Sequence, residues 1–598
     1  MPKLFLMLAC LALLPPGAAP AKSRLEYTLL VDSADLSGVA VELRIRNAPP
    51  RLLLAAHAHP EYDDRYWRHL EGLSAFGPDS LPLPVAREDS VLWRVANPAG
   101  DVVVRYRVRY PDEGSPRSSW RPFLTPTGGL IGGPHSFLYL VGQERAPISV
   151  TLELPRAWKV GTGLAGSSDQ RSFTAAGAQA LMESPMLVGV LREWEFRAGD
   201  VPHRVFYWPL PGAEPFDTAT FVGGIERLAN QTVRLFGGTP YREYTFLMQD
   251  GAYGGGLEHP NSVTLGAESR ELARDPHATL RETAHEFVHT WNLMAIRPAG
   301  YRTVDYRTQP PVDELWFSEG LTLFYGDLLL RRAGLPTHDT TRTAHLEDLI
   351  GSYLASPGNS HYSAEQVSRV AYNAGPDALG DYAASSHLQG ELIGAMLDLL
   401  IRDATGGARS MDDVMRLMYA RFTTRGFTGA DVERAVEEVC GCSADAMFAG
   451  SVRGANPIPF ERYLAPLGLR LGVSWEPAVD DSGAPQRDLR IWGWTEGSEP
   501  GLRLRVTDPA SIWGRAGLHT GDRLLSANGK PVRTWPELRA FLLGLAIGDS
   551  ARIAVRRPAG VFEGRVRMQQ LQRPVVRIEP VEGPARQRAL REAWLAGR

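Results

Sequence analysis

A chain of 598 residues is too long for a single hydrophobic core and calls for several domains. Its 44% hydrophobic and 22% charged residues are those of ordinary globular proteins, which excludes wholesale disorder. A net charge of only −4 leaves no bulk field to recruit nucleic acid or anionic lipid, and nearly all positive charge is arginine, with lysine only at Lys3, Lys22, Lys159 and Lys530.

At the N-terminus, Lys3 precedes an apolar run from Leu4 to Leu14, and Ala19-Pro20-Ala21 offers an A-x-A cleavage site. This layout predicts a secretory signal peptide over 1–21 and an exported chain, periplasmic or secreted. A lipoprotein reading through Cys10 would leave only about half the usual apolar length. No other segment approaches the ~20 apolar residues of a membrane span. Of the two remaining cysteines, Cys440 and Cys442, neither has the partners of a zinc knuckle. They are read either as free thiols or as oxidised against each other.

Residues 22–198 read as a β-rich domain with sandwich-like packing. Runs such as Val39 to Arg46 and Val102 to Tyr110 alternate apolar and polar residues between turn clusters. From 199 to 462 the pattern becomes mainly helical. Helical spacing covers Phe216–Phe236, Leu280–Met294, Leu315–Arg332, Leu388–Arg402 and Met411–Tyr419, while Tyr244–Met248 reads as a strand before the glycine-rich Gly254-Gly-Gly. Short strands and turns return over 463–575, with a helix predicted near Trp535–Leu545, and a tail with a short helix fills 576–598. The whole is a multidomain α+β chain.

His285-Glu-Phe-Val-His289 fits H-E-x-x-H within a helical segment. Four residues is about one turn, so both imidazoles leave one face at a spacing that binds one zinc ion. Glu286, rotated about 100° from His285, flanks the metal as a base toward a bound water, whose pKa zinc lowers to roughly 7. Glu319 stands thirty residues after His289 in a second helical segment. Its neighbours are apolar, so a bare carboxylate would be costly to bury there.

These residues carry a resemblance. Ala284 to Asn292, Ile296-Arg-Pro298, Asp305-Tyr306 and Leu315 to Thr322 together resemble the glycyl aminopeptidase family of gluzincin zinc peptidases. The resemblance implies a thermolysin-like catalytic domain with one zinc ion held by His285, His289 and Glu319, and Glu286 as general base. It also implies a preference for peptides with a free N-terminal Gly or Ala. Gly255-Gly256-Leu257-Glu258-His259 matches that family's substrate-side motif. There Glu258 would meet the α-ammonium group by charge-assisted hydrogen bonds, Gly255 and Gly256 would admit the peptide backbone, and His259 would orient Glu258.

One departure stands out. Where that family carries an oxyanion-stabilising tyrosine in a Tyr-x-Lys-Gly-like segment, this chain has Ser385-Ser-His-Leu-Gln-Gly390. His387 then takes the place of the tyrosine and Gln389 that of the lysine, with Tyr382 as a competing candidate. A histidine can also donate to developing negative charge.

Toward the C-terminus, Gly501 to Val506, Ser511 to Leu518 and Gly521 to Val532 resemble a PDZ domain, which would bind a peptide or protein partner by strand addition. Its usual glycine-hydrophobic loop is not visible before Leu489 to Trp494, which leaves a purely structural role open beside peptide binding. Two other functions stay open: an endopeptidase with the same zinc site, and a periplasmic binding scaffold around a weakened peptidase.

Overall fold

The computed structural model describes residues 23–56, 66–96, 98, 100–110, 117–167, 170–301, 311–372, 374–495 and 501–597. The expected signal peptide, Cys10 and Asp305-Tyr306 lie outside the described residues. Among the described residues no helix is long and apolar enough to cross a membrane.

The alternating N-terminal runs form strands in which every second residue, such as Val39, Val41, Leu43 and Ile45, is buried. Gly38–Arg46 and Val102–Arg109 pair antiparallel at the centre of an eight-stranded sheet. Two four-stranded sheets complete the domain. Leu43, Leu54, Val104, Ile131 and Val188, drawn from all three sheets, meet in one buried core.

The second unit begins at Arg192, ahead of the expected boundary at 199, because Arg192–Ala198 pairs with Val201–Trp208 in a new sheet. Tyr244–Gln249 and Ser262–Gly266 continue this sheet in parallel, and Gly256–Glu258 closes it as an antiparallel edge strand. Helices Thr218–Phe236, Leu280–His289, Leu315–Arg332 and Ser386–Thr405 pack beside it and share one large core.

The segment predicted as one helix from Leu280 to Met294 stops at His289. The His289 Nδ1–H donates to the Asn292 carbonyl, the Met294 amide donates back to the His289 carbonyl, and Leu293 takes a positive φ of 126°. The chain therefore turns away directly after the second histidine. Cys440 and Cys442 are joined as a disulfide, with Cα atoms 5.1 Å apart, which decides between the two readings of that pair.

Beyond 468 the chain leaves the helical unit through an antiparallel ribbon of Leu469–Pro477 with Gln572–Pro580. Between these strands lies a six-stranded sheet with its own core around Leu504, Trp513 and Val555, flanked by the helix Trp535–Leu543. Its Thr520 amide and His519 Nδ1–H both donate to Asp381 at 2.6 Å. The expected tail is packed: helix Ala585–Leu595 returns to the second unit, where Arg342 donates to the Trp594 carbonyl and Arg332 to that of Gly597, each at 2.7 Å.

Candidate metal centre and active site

Spacing of one turn on helix Leu280–His289 brings His285 and His289 together, their Nε2 atoms 3.1 Å apart. Helix Leu315–Arg332 supplies Glu319, whose Oε2 lies 3.2 Å from His289 Nε2 and 3.6 Å from His285 Nε2. Asn292 fixes the two helices against each other. Its Nδ2 donates to the carbonyls of Phe317 and Ser318 at 3.1 and 2.9 Å, so the turn after the second histidine is anchored beside Glu319.

The donor set fits a divalent cation. Three ligands at 2.0–2.2 Å in a tetrahedral shell sit about 3.3 Å from one another, close to the observed triangle. His289 Nδ1–H is committed to the Asn292 carbonyl, which leaves the Nε2 lone pair for the metal in the neutral ring. Burial opposes ionisation of Glu319, yet His289 and His387 hold its carboxyl well below the usual range. Burial likewise disfavours charge on His289, but Glu319 and Glu258 draw positive charge onto it. A bound cation answers the same pull.

Glu286 and Glu258 share this space. Burial first, and then the charge of Glu258, push the Glu286 carboxyl well above the ordinary range. Burial also raises Glu258, which senses both His289 and Glu319. Gly256 is required for the approach. A Cβ there would overlap the Glu286 Cγ and lie 2.8 Å from its Cδ, so the edge strand can pass Glu286 only as backbone. Gly255 has its carbonyl fixed by the Ser119 hydroxyl at 2.7 Å, a contribution from the N-terminal domain. His259 is buried, with its pKa lowered by burial to about 3 and its Nε2 without a hydrogen-bond partner, so no contact of that nitrogen orients Glu258.

His387 lies beside Glu319. Its Nε2 lies 3.1 Å from Glu319 Oε2, and its side chain is 41% exposed. The reason is a close helix crossing. A Cβ on Gly390 would collide with the Trp316 carbonyl, and Gly320 faces the Gly390 backbone, so helix Ser386–Thr405 lies tightly against the Glu319 helix. Gln389 points elsewhere and donates to the carbonyls of Asn359 and Tyr362 at 2.8 and 2.9 Å, a structural role. Tyr382 stacks on His361 with ring centroids 4.0 Å apart.

Two site residues escaped the sequence reading. Tyr372 donates its hydroxyl to Glu319 Oε1 at 2.7 Å. Glu282, half-buried one turn before Glu286, is hydrogen-bonded to it and has its own carboxyl raised by burial. Position i−4 on the H-E-x-x-H helix could have flagged Glu282, whereas nothing local marks Tyr372.

Two models from one family match the chain. The peptidase M61 N-terminal domain covers residues 26–190, and M61 glycyl aminopeptidase covers residues 278–393, which contain all three donor residues. The protein is a metallopeptidase. Among solved structures, this metallopeptidase is similar to an aminopeptidase N family protein from Idiomarina loihiensis, at 22% identity and a TM-score of 0.76 over 96% of this chain and 100% of that one. The shared fold therefore runs almost end to end. A more distant likeness is an M1 zinc metallopeptidase from Deinococcus radiodurans, at 16% identity and a TM-score of 0.47 over 73% of this chain and 94% of that one. No curated protein sequence matches the metallopeptidase.

Proposed function

We propose that the protein is an exported zinc aminopeptidase that removes small residues, Gly or Ala, from the free N-terminus of peptides. The observation that carries this reading is the convergence of His285, His289 and Glu319 beside two further buried carboxylates, Glu286 and Glu258. One zinc ion per chain would be held by the three donors, where it supplies a Lewis acid for the scissile carbonyl and lowers the pKa of water toward neutrality.

The chain's own residues do the rest. Glu286 takes a proton from the attacking water and passes it to the leaving amine, a role suited to a carboxyl raised by burial. Glu258 receives the α-ammonium of the substrate through charge-assisted hydrogen bonds. Gly255 and Gly256 admit the peptide as a strand along the open edge. His387 donates to the charge that develops on the carbonyl oxygen.

The six-stranded C-terminal domain is read as PDZ-like, with strand Ile491–Trp494 beside helix Trp535–Leu543 as the place for a peptide partner.

Purified protein should hydrolyse Gly- and Ala-anilides, lose this activity to a chelator, and spare N-acetylated peptides. Glu286→Gln should keep its zinc and lose turnover by about 10²–10⁴-fold. Cleavage of blocked peptides would instead mark an endopeptidase, and bound zinc without turnover above the Glu286→Gln level would mark a binding scaffold.

A further inference from the structure

Strand Leu469–Pro477 pairs on one side only, with Gln572–Pro580. Among the described residues no other strand and no other backbone hydrogen bond reaches 470–476. Residues 472–477 are all exposed. The strand nevertheless alternates like one with a buried face. Leu471, Val473 and Trp475 share a side, and on the neighbouring strand Ile578 and Val576, opposite Leu471 and Val473, are buried. Val473 and Trp475 remain 45% and 56% exposed. An apolar edge of this length is a template for pairing, and proteins blunt such edges unless they are used.

The residues of this strand are complementary to themselves. Laid antiparallel against a second copy with Val473 on the two-fold axis, Leu471 meets Trp475, Gly472 meets Ser474 and Arg470 meets Glu476. Within one chain Arg470 already faces Glu579, and Glu476 faces Arg573, across the ribbon. The four-stranded sheet so formed carries the row Glu579, Arg470, Glu476, Arg573, with charge alternating at every strand and the row repeated by symmetry. Its other face joins the apolar stripes of both copies into one. This register sets opposite charges face to face while keeping apolar residues with apolar residues.

We propose that the protein forms a two-fold dimer by antiparallel pairing of Leu469–Pro477 with the same strand of a second copy. The test is the mass of the purified full chain by size-exclusion chromatography with light scattering, with thermal melting to show that each variant is folded. Wild type should run as a dimer and Val473→Lys, which sets two lysines on the axis, as a monomer. Arg470→Glu alone and Glu476→Arg alone should each dissociate. Mixed in equal amounts, these two variants should form a heterodimer, because each row again opposes acid and base at the interface. A monomeric wild type, a dimer that survives Val473→Lys, or a mixture that stays monomeric would overturn the proposal.

Discussion

The hydroxyl of Tyr372 donates to Oε1 of Glu319 at 2.7 Å, while Oε2 of the same carboxylate faces His285 and His289. The tyrosine thus holds the carboxylate from behind and fixes which oxygen is turned toward the two histidines. Partners of this kind are worth about 10–100-fold in metal affinity. Tyr372→Phe keeps the ring, which packs beside Leu293 and Leu315, and removes only the hydrogen bond. Zinc affinity measured by chelator competition should fall by about 10–100-fold, with an unchanged melting temperature in excess zinc.

Gly256 lets the edge strand pass Glu286 without a side chain. Gly256→Ala forces the base to move, because the added Cβ overlaps it. Misplacement of a reacting group by about 1 Å costs on the order of 10²-fold in rate. The expected result is a fall in kcat of that order with zinc content unchanged. Wild-type kcat in this variant would show that the base has room to spare.

His387 contacts Glu319 and is partly exposed. If its ring donates to the carbonyl oxygen in the transition state, His387→Ala should lower kcat by about 10²–10³-fold with little change in KM. His387→Tyr restores a donor and should recover part of that loss. Steady-state kinetics on an Ala-anilide separates the two parameters.

His345 bridges Asp339 and Glu391 at 2.8 and 2.9 Å, tying helix Arg342–Ala355 to the His387 helix. Burial lowers its pKa, but the hydrogen bond and charge of Glu391 prevail and raise it to about 9. A histidine raised in the folded state contributes stability that is fully present below about pH 6.5 and lost as pH rises through about 9. Melting of His345→Gln against wild type should show its largest deficit at about pH 6 and below, narrowing as pH rises from about 6.5 to about 9. A deficit independent of pH would mean that the bridge acts without its charge.

The metal triad was legible because its logic is local. Two histidines one turn apart and a carboxylate among apolar residues declare themselves before any folding is known. Glu286 was marked by the same helix, whereas Glu258 was marked by the family resemblance of Gly255-Gly256-Leu257-Glu258-His259, since a glycine-rich turn with a glutamate is common by itself. Tyr372 was not, since it stands in a segment without periodicity and meets Glu319 only after the chain has folded. The early end of the H-E-x-x-H helix was hidden for a related reason. Leu293 fits the helical spacing, yet the hydrogen bonds of His289 and Asn292 turn the backbone away. Gly390 read as the end of a motif, and its physical reason, the crossing with the Glu319 helix, belongs to tertiary packing.

The return of the last helix to Arg332 and Arg342 joins positions about 250 residues apart, with sequence separations of 265 and 252. Arg332 ends the very helix that carries Glu319. During synthesis that helix emerges long before Trp594 and Gly597, so the hydrogen bonds of Arg332 and Arg342 form only after the rest of the second unit has been made. A chain shortened before Ala585 therefore leaves the helix that carries Glu319 without the contact that holds its far end.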